Sequence, residues 1–152
     1  MTAVATPFDL AGRTAIVTGA NTGLGQGIAV ALAEAGAAIA AVARSPLDET
    51  AALVARTGSP FLAIEADLST IEPLAGIVET AERWRGSLDI LVNNAGVIRR
   101  ADSLDYTEAD WDAVMDVNLK SAFFLAQAAA RRFVAGGRGG KIINIASMLS
   151  FQ

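Results

Sequence analysis

Five short, largely apolar runs, each set off from the next by a stretch long enough for a helix, constrain this chain more than any other feature. They are Arg13 to Thr18, Ala38 to Ala43, Phe61 to Glu65, Leu88 to Val92 and Lys141 to Ile145. Such runs suit strands buried on both faces, whereas the stretches between them carry helical spacing and caps. Helices are expected from Leu24 to Ala35, from about Leu47 to Arg56 and from Ile71 to Trp84. A long one is expected from Thr107 to Phe133, with Thr107 as N-cap, Glu108 and Asp110 in its first turn and Arg131 and Arg132 in its last. Gly36 and the glycines between Gly136 and Gly140 end their helices. Strands that alternate with helices pair in parallel through crossovers, so the fold class is α/β, a doubly wound parallel sheet of about five strands. Ligands of such sheets bind beyond the carboxyl ends of the strands, where the strand order reverses.

Several function classes are excluded by composition. The net charge of −4 supplies no basic field for a nucleic-acid backbone, and the longest clusters of cations are the pairs Arg99-Arg100 and Arg131-Arg132. Without Cys there is no thiol nucleophile or thiolate metal site, and without His there is no Ser-His-Asp relay or imidazole ligand. The acids are scattered rather than clustered at ligand spacing, so no metal is expected. The Ala-rich stretch from Ile28 to Ala43 is interrupted by Glu34 and Gly36, and it is shorter than the roughly 20 residues that a bilayer requires. No membrane partner and a cytoplasmic location are expected, since the N-terminus lacks the pattern of a secretory signal.

The strongest local signal is Thr18-Gly19-Ala20-Asn21-Thr22-Gly23-Leu24-Gly25, between the first strand and the first helix. Glycine at position 19 suits a tight turn, Gly23 lets backbone approach a pyrophosphate, and Gly25 lets the helix pack close to the sheet. The amides and positive dipole at the helix start then suit an anion. A Gly-rich turn without a ligand is the plain alternative, and the spacing is Gly-x-x-x-Gly-x-Gly rather than Gly-x-Gly-x-x-Gly.

This spacing resembles the short-chain dehydrogenase/reductase family, a Rossmann-type fold, and further motifs agree in order and position. Asn93-Asn94-Ala95-Gly96 is similar to the family's segment after the fourth strand, and Asp67 to the acid that meets the adenine amino group. Asn118, within Val117-Asn118-Leu119, is similar to the family's catalytic-site asparagine, and Ser147 to its catalytic serine. The resemblance therefore implies Ser147 and Asn118 as catalytic residues, Ser147 holding the substrate oxygen and Asn118 ordering a proton-relay water. It implies a cofactor site built from Gly19, Asn21, Thr22, Gly23, Leu24, Gly25, Arg44, Ser45, Asp67, Leu68, Asn94, Ala95 and Gly96. Each residue also has a structural reading: Asn94 closes a turn, Asn118 is a polar surface residue, and Ser147 ends a strand.

The family's chemistry is hydride transfer at a nicotinamide, assisted by a Tyr-x-x-x-Lys segment about a dozen residues past the serine. Tyr106, the sole tyrosine, has Asp110 four positions on, so it is not cast as the catalyst. Residues 1–152 are accordingly expected to be a dinucleotide-binding domain cut short before that segment, in a protein of about 250 residues, the family's usual size. For the cofactor, an acid about 20 residues beyond the glycines selects NAD, whereas an Arg accommodates the 2′-phosphate of NADP. Here Ala43 fills the acid's slot and Arg44 and Ser45 follow, so NADP(H) is favoured, with NAD(H) as the alternative. Thr22 stands where many NADP-dependent members carry a basic residue. The segments around Gly23, Asn93 and Lys141 resemble most closely the family's sugar-acid branch. That implies a small carbonyl or alcohol substrate of the 2-dehydro-3-deoxygluconate type, with another small ketone or acyl thioester, or a non-catalytic dinucleotide-binding fragment, as alternatives. The long helix resembles the family's oligomer-forming helix, implying a homodimer or homotetramer at full length.

Overall fold

A computed structural model of the chain describes residues 8–147. Five strands, β1 (Thr14–Thr18), β2 (Ala38–Ala43), β3 (Phe61–Glu65), β4 (Ile90–Asn93) and β5 (Lys141–Asn144), form one wholly parallel sheet in the order β3-β2-β1-β4-β5. Helices α1 (Gly23–Glu34), α2 (Asp48–Ala55) and α3 (Leu74–Arg85) make the first crossovers. Between β4 and β5 run α4 (Glu108–Met115), a π turn (Asp116–Lys120) and α5 (Ser121–Ala135). The chain steps outward from β1 to β3 and then returns to the other side of β1, so the reversal lies between β1 and β4.

Alternation along the strands divides the core between two faces. Ala15 and Val17 of β1, with Ile39 and Ala41 of β2, pack with Ala29 and Ala33 of α1 and Val54 of α2. Ile16, Ala40, Val42 and Leu91 point the other way, toward Ile77 and Val78 of α3 and Leu125, Ala129 and Phe133 of α5. Strands buried on both faces need apolar residues on both, which is why β2 and the interiors of β1 and β4 read as unbroken apolar runs rather than as alternating ones, with Thr14, Thr18 and Asn93 at the strand ends. β5 is exposed along its length, including Ile142 and Ile143. No helix among the described residues is long and apolar enough to cross a membrane.

Element boundaries agree with the sequence pattern to within a few residues, with two instructive departures. α3 begins at Leu74 rather than Ile71, because the preceding chain folds back on itself: the Ser69 amide donates to Asp67 Oδ1 (2.9 Å), and Pro73 then occupies the N-cap. The long helix after Thr107 is broken in register by the π turn, although its path continues. There the Ser121 amide bonds the Asp116 carbonyl five residues back, while its hydroxyl donates to the Val117 carbonyl four residues back (2.7 Å). One side chain thus supplies the donor that the altered register removes.

At the amino end of the sheet, Asp89 is buried and accepts from Arg13 Nη1 (2.9 Å), the Thr14 amide (3.0 Å) and Ser87 Oγ (3.4 Å). These bonds fix the start of β1 against the segment that enters β4, at the end opposite the strand tips. Replacing the carboxylate leaves a buried amide without its acceptor. Asp89→Ala is expected to lower stability by about 2–3 kcal/mol, read as a fall in the urea midpoint at unchanged slope.

Candidate functional site

The carboxyl ends of β1 to β4 open on a cleft of about 170 Å³. Each strand contributes through the residues just beyond it: Gly19 and Asn21 after β1, Arg44 and Ser45 after β2, Asp67 and Leu68 after β3, Ala95 and Gly96 after β4. Eight of the expected cofactor residues are therefore brought together in one concavity at the switch point.

The walls are held by hydrogen bonds between segments far apart in sequence. Thr18 Oγ1, almost fully buried, accepts from the amides of Asn94 and Ala95 (both 3.0 Å) and donates to the Val92 carbonyl (3.4 Å). Asn94 Nδ2 returns the contact, donating to the carbonyls of Thr18 (2.9 Å) and Gly19 (3.3 Å). The amides of Gly19 and Ala20 both donate to the Val42 carbonyl, at 2.8 and 3.3 Å. Asn94 thus works behind the cleft wall, joining the tips of β1 and β4, rather than lining the cleft.

The glycines divide the labour unequally. Gly25 is buried, and a Cβ there would overlap the Gly19 carbonyl and the Asn94 amide, so helix α1 can begin against the sheet only because that position lacks a side chain. Gly23 has φ +57 and open space where a Cβ would project. Its requirement is one of backbone conformation, and the space above it is free for a ligand. Thr22, at the N-cap of α1, makes no side-chain cap bond, and the first turn holds no acid, in contrast to α4, where Thr107 accepts from the Asp110 amide (3.1 Å). Thr22, Gly23 and Leu24 are exposed at the rim, Leu24 strongly so. The free amides of this turn, the dipole behind them and the open surface at Gly23 fit a diphosphate.

Charge at the cleft is sparse. Arg44 Nη1 lies 4.0 Å from Asp67 Oδ2, and both side chains are more than half exposed, so the pair is worth little in water. Asp67 is held below the ordinary carboxylate range, first by the Ser69 amide, then by the Ser69 hydroxyl and, to a smaller extent, by Arg44. It is therefore an ionised acceptor at neutral pH, while Arg44 is left with a weak partner that an incoming phosphate can displace.

Asn118 lies in the π turn and spends its whole side chain on one residue. Its Oδ1 accepts from the Val97 amide (2.8 Å) and its Nδ2 donates to the Val97 carbonyl (2.9 Å), a reciprocal clamp on the loop after β4. Val97 and Val117 both line the cleft, so the clamp fixes part of its wall. Ser147 lies beyond β5 and is exposed. The Tyr106 hydroxyl donates to the Arg99 carbonyl (3.4 Å), and the ring lines a separate hollow between the post-β4 loop and α4. Among the described residues no group of three or more acids could hold a metal ion.

Sequence reasoning did not single out Thr18, Asn93 or Ser121 as functional supports. Asn93 Nδ2 donates to the Ala122 carbonyl (3.2 Å) and to Asn144 Oδ1 (2.9 Å), joining β4 to α5 and β5. A polar residue placed at the end of an apolar strand was the available signal for Thr18 and Asn93. Nothing in the residue types at 116–121 announces a π turn.

A parallel sheet with a glycine turn and an open, uncapped helix start at its switch point defines an α/β protein of the doubly wound class. Residues 13–152 match the family model of the short chain dehydrogenases, and the chain belongs to that family. It is 52% identical over 145 residues to the 2-dehydro-3-deoxy-D-gluconate 5-dehydrogenase of Escherichia coli (strain K12), across 95% of this chain and 57% of that protein. Among solved structures, one described as a short-chain alcohol dehydrogenase from Sinorhizobium meliloti 1021 superposes with a TM-score of 0.92 at 49% identity, over 96% of this chain and 58% of the other. Another, described as a 2-deoxy-D-gluconate 3-dehydrogenase from Agrobacterium tumefaciens with bound NADP, gives 0.87 at 54% identity, over 97% and 58%. The chain thus spans little more than half the length of these relatives.

The two glycines predict different losses. Gly25→Ala forces backbone apart at the switch point and is expected to lower stability by about 2–4 kcal/mol. Gly23→Ala meets no atom and is expected to lower it by only about 1–2 kcal/mol, from the strained φ. Urea unfolding of the two variants checks the order.

Proposed function

We propose that this chain is the dinucleotide-binding part of an NADP(H)-dependent oxidoreductase that interconverts a ketone and a secondary alcohol on a small sugar acid of the 2-dehydro-3-deoxygluconate type. The observation that carries the reading is that Arg44 and Ser45, at an acid-free end of β2, share one cleft with Gly19 and Asn21 of the glycine turn. The names of the E. coli and A. tumefaciens relatives support the substrate class, and the NADP in the latter supports the cofactor.

When bound, the nicotinamide cofactor supplies or accepts the hydride. This chain's residues do the positioning. The first amides of α1 hold the diphosphate, Gly23 leaves room for it, and Arg44 with Ser45 holds the 2′-phosphate. Asp67 accepts from the adenine amino group, and Leu68, Ala95 and Gly96 supply apolar walls that exclude water from the adenine and its ribose. Ser147 donates to the substrate oxygen. Asn118, its side chain committed to Val97, holds the post-β4 loop beside which it orders the proton-relay water. The proton donor, a tyrosine in the family, is not Tyr106, whose position four residues on is Asp110 rather than Lys. A homodimer or homotetramer is part of the proposal, supported by the exposed Trp111, Leu119 and Phe123 on the helices after β4.

Arg44 tests the cofactor half of this reading. Arg44→Asp replaces attraction for the 2′-phosphate with repulsion and offers the ribose hydroxyl an acceptor. NADPH binding is expected to weaken roughly tenfold to a hundredfold, and the NADPH-to-NADH preference to invert, in fluorescence titrations at fixed ionic strength. A wild-type protein that prefers NADH, or a ratio unmoved by the substitution, overturns the assignment of Arg44.

A further inference from the structure

One cluster of hydrogen bonds lies outside the cleft but controls its glycine turn. Thr50, on α2, is fully buried, and its hydroxyl donates to the Ala20 carbonyl (2.7 Å). A carbonyl can only accept, so the Thr50 proton is committed there, and its oxygen accepts from Gln26 Nε2 (3.1 Å). The second proton of Gln26 Nε2 goes to the Asn21 carbonyl (3.3 Å). The direction of every bond follows from the first, leaving one arrangement that satisfies all three groups. Ala20 is itself fully buried, so no water can replace the hydroxyl on its carbonyl.

The Gly19 and Ala20 amides are bonded to the Val42 carbonyl, and the carbonyls of Ala20 and Asn21 are engaged by Thr50 and Gln26, so neither carbonyl is left over for the face on which the first amides of α1 would receive the anion. A carbonyl on that face would repel a diphosphate. Thr50 also lies five residues beyond Ser45, on the helix that follows the proposed 2′-phosphate contacts, so α2 connects two parts of the dinucleotide site. We propose that Thr50 and Gln26 are positioning residues for the dinucleotide: they hold the carbonyls of the glycine turn away from the diphosphate and so set its affinity without touching it. This proposal rests on the dinucleotide-binding reading above.

The test compares two ligands by calorimetric titration: 2′-phospho-ADP-ribose, which carries the diphosphate, and adenosine 2′-monophosphate, which lacks it. Thr50→Val keeps the shape and removes the hydroxyl; Gln26→Met keeps the length and removes the amide; Thr50→Ser restores the bond. In Thr50→Val and Gln26→Met the diphosphate ligand is expected to bind about tenfold more weakly, with adenosine 2′-monophosphate within about twofold of wild type and Thr50→Ser close to wild type for both. Unchanged affinity for 2′-phospho-ADP-ribose in folded variants overturns the proposal. So does equal weakening of both ligands, which marks a general loss of structure. If Thr50→Val does not fold, the half-buried Gln26 carries the comparison alone. A wild-type protein that binds neither ligand overturns the dinucleotide reading itself, and this proposal with it.

Discussion

The hydroxyl of Thr18 sits where the two halves of the sheet meet, and the rest of the site depends on what it holds. β1 and β4 are neighbours in space but more than 70 residues apart in sequence, with three helices and two strands between them. Strand pairing aligns them, and the Thr18 and Asn94 side chains then lock their tips at the point where the chain leaves the sheet. Because these bonds are largely shielded from water, each contributes about 1 kcal/mol and leaves an unsatisfied group if broken. The same contact explains the absence of a side chain at Gly25, since α1 starts against this pair of tips. The switch-point cleft is thus a product of one interlocked junction, and moving any member of it would displace the wall that a ligand meets.

Above that junction, the site follows a simple division of backbone groups. Those facing the protein are satisfied within it: the amides of Gly19 and Ala20 by Val42, the carbonyls of Ala20 and Asn21 by Thr50 and Gln26, the amide and carbonyl of Val97 by Asn118. The start of α1 is left without a side-chain cap. A rigid, internally satisfied loop that presents unsatisfied amides outward is preorganised for an anion, because little ordering remains to be done when the ligand arrives. The weak Arg44–Asp67 pair obeys the same logic in charge: at 4.0 Å and more than half exposed, it leaves the Arg44 guanidinium without a strong partner.

The π turn shows how a small change of register serves a site. One additional residue in a helical turn shifts the residues after it around the axis, which is how Val117 can reach the cleft while Asn118 reaches Val97. Ser121 makes the shift tolerable by donating its hydroxyl to the carbonyl that its amide has left. A regular helix over the same residues would distribute these side chains differently, so a polar asparagine that sequence alone places on a helix surface becomes a two-point clamp.

Periodicity and turn chemistry by themselves determined the five strands, their parallel pairing and the glycine turn, because apolar burial and glycine conformation are properties of local sequence. They also indicated which residues belong to the strand tips, and Gly19, Asn21, Arg44, Ser45, Asp67, Leu68, Ala95 and Gly96 do line one cleft. Other features were decided only by the tertiary structure. Asn94 works behind the wall, Gly25 is required by an opposing carbonyl, Thr50 reaches the glycine turn from another helix, and the long helix changes register at Asn118. The Asn94, Thr50 and Asn118 contacts join residues at least 21 positions apart, and Gly25 is required where α1 meets the Gly19 carbonyl and the Asn94 amide. Neither these meetings nor the backbone register leave a mark in the spacing of residue types, since a hydrogen bond is specified by where two groups meet rather than by what either is alone.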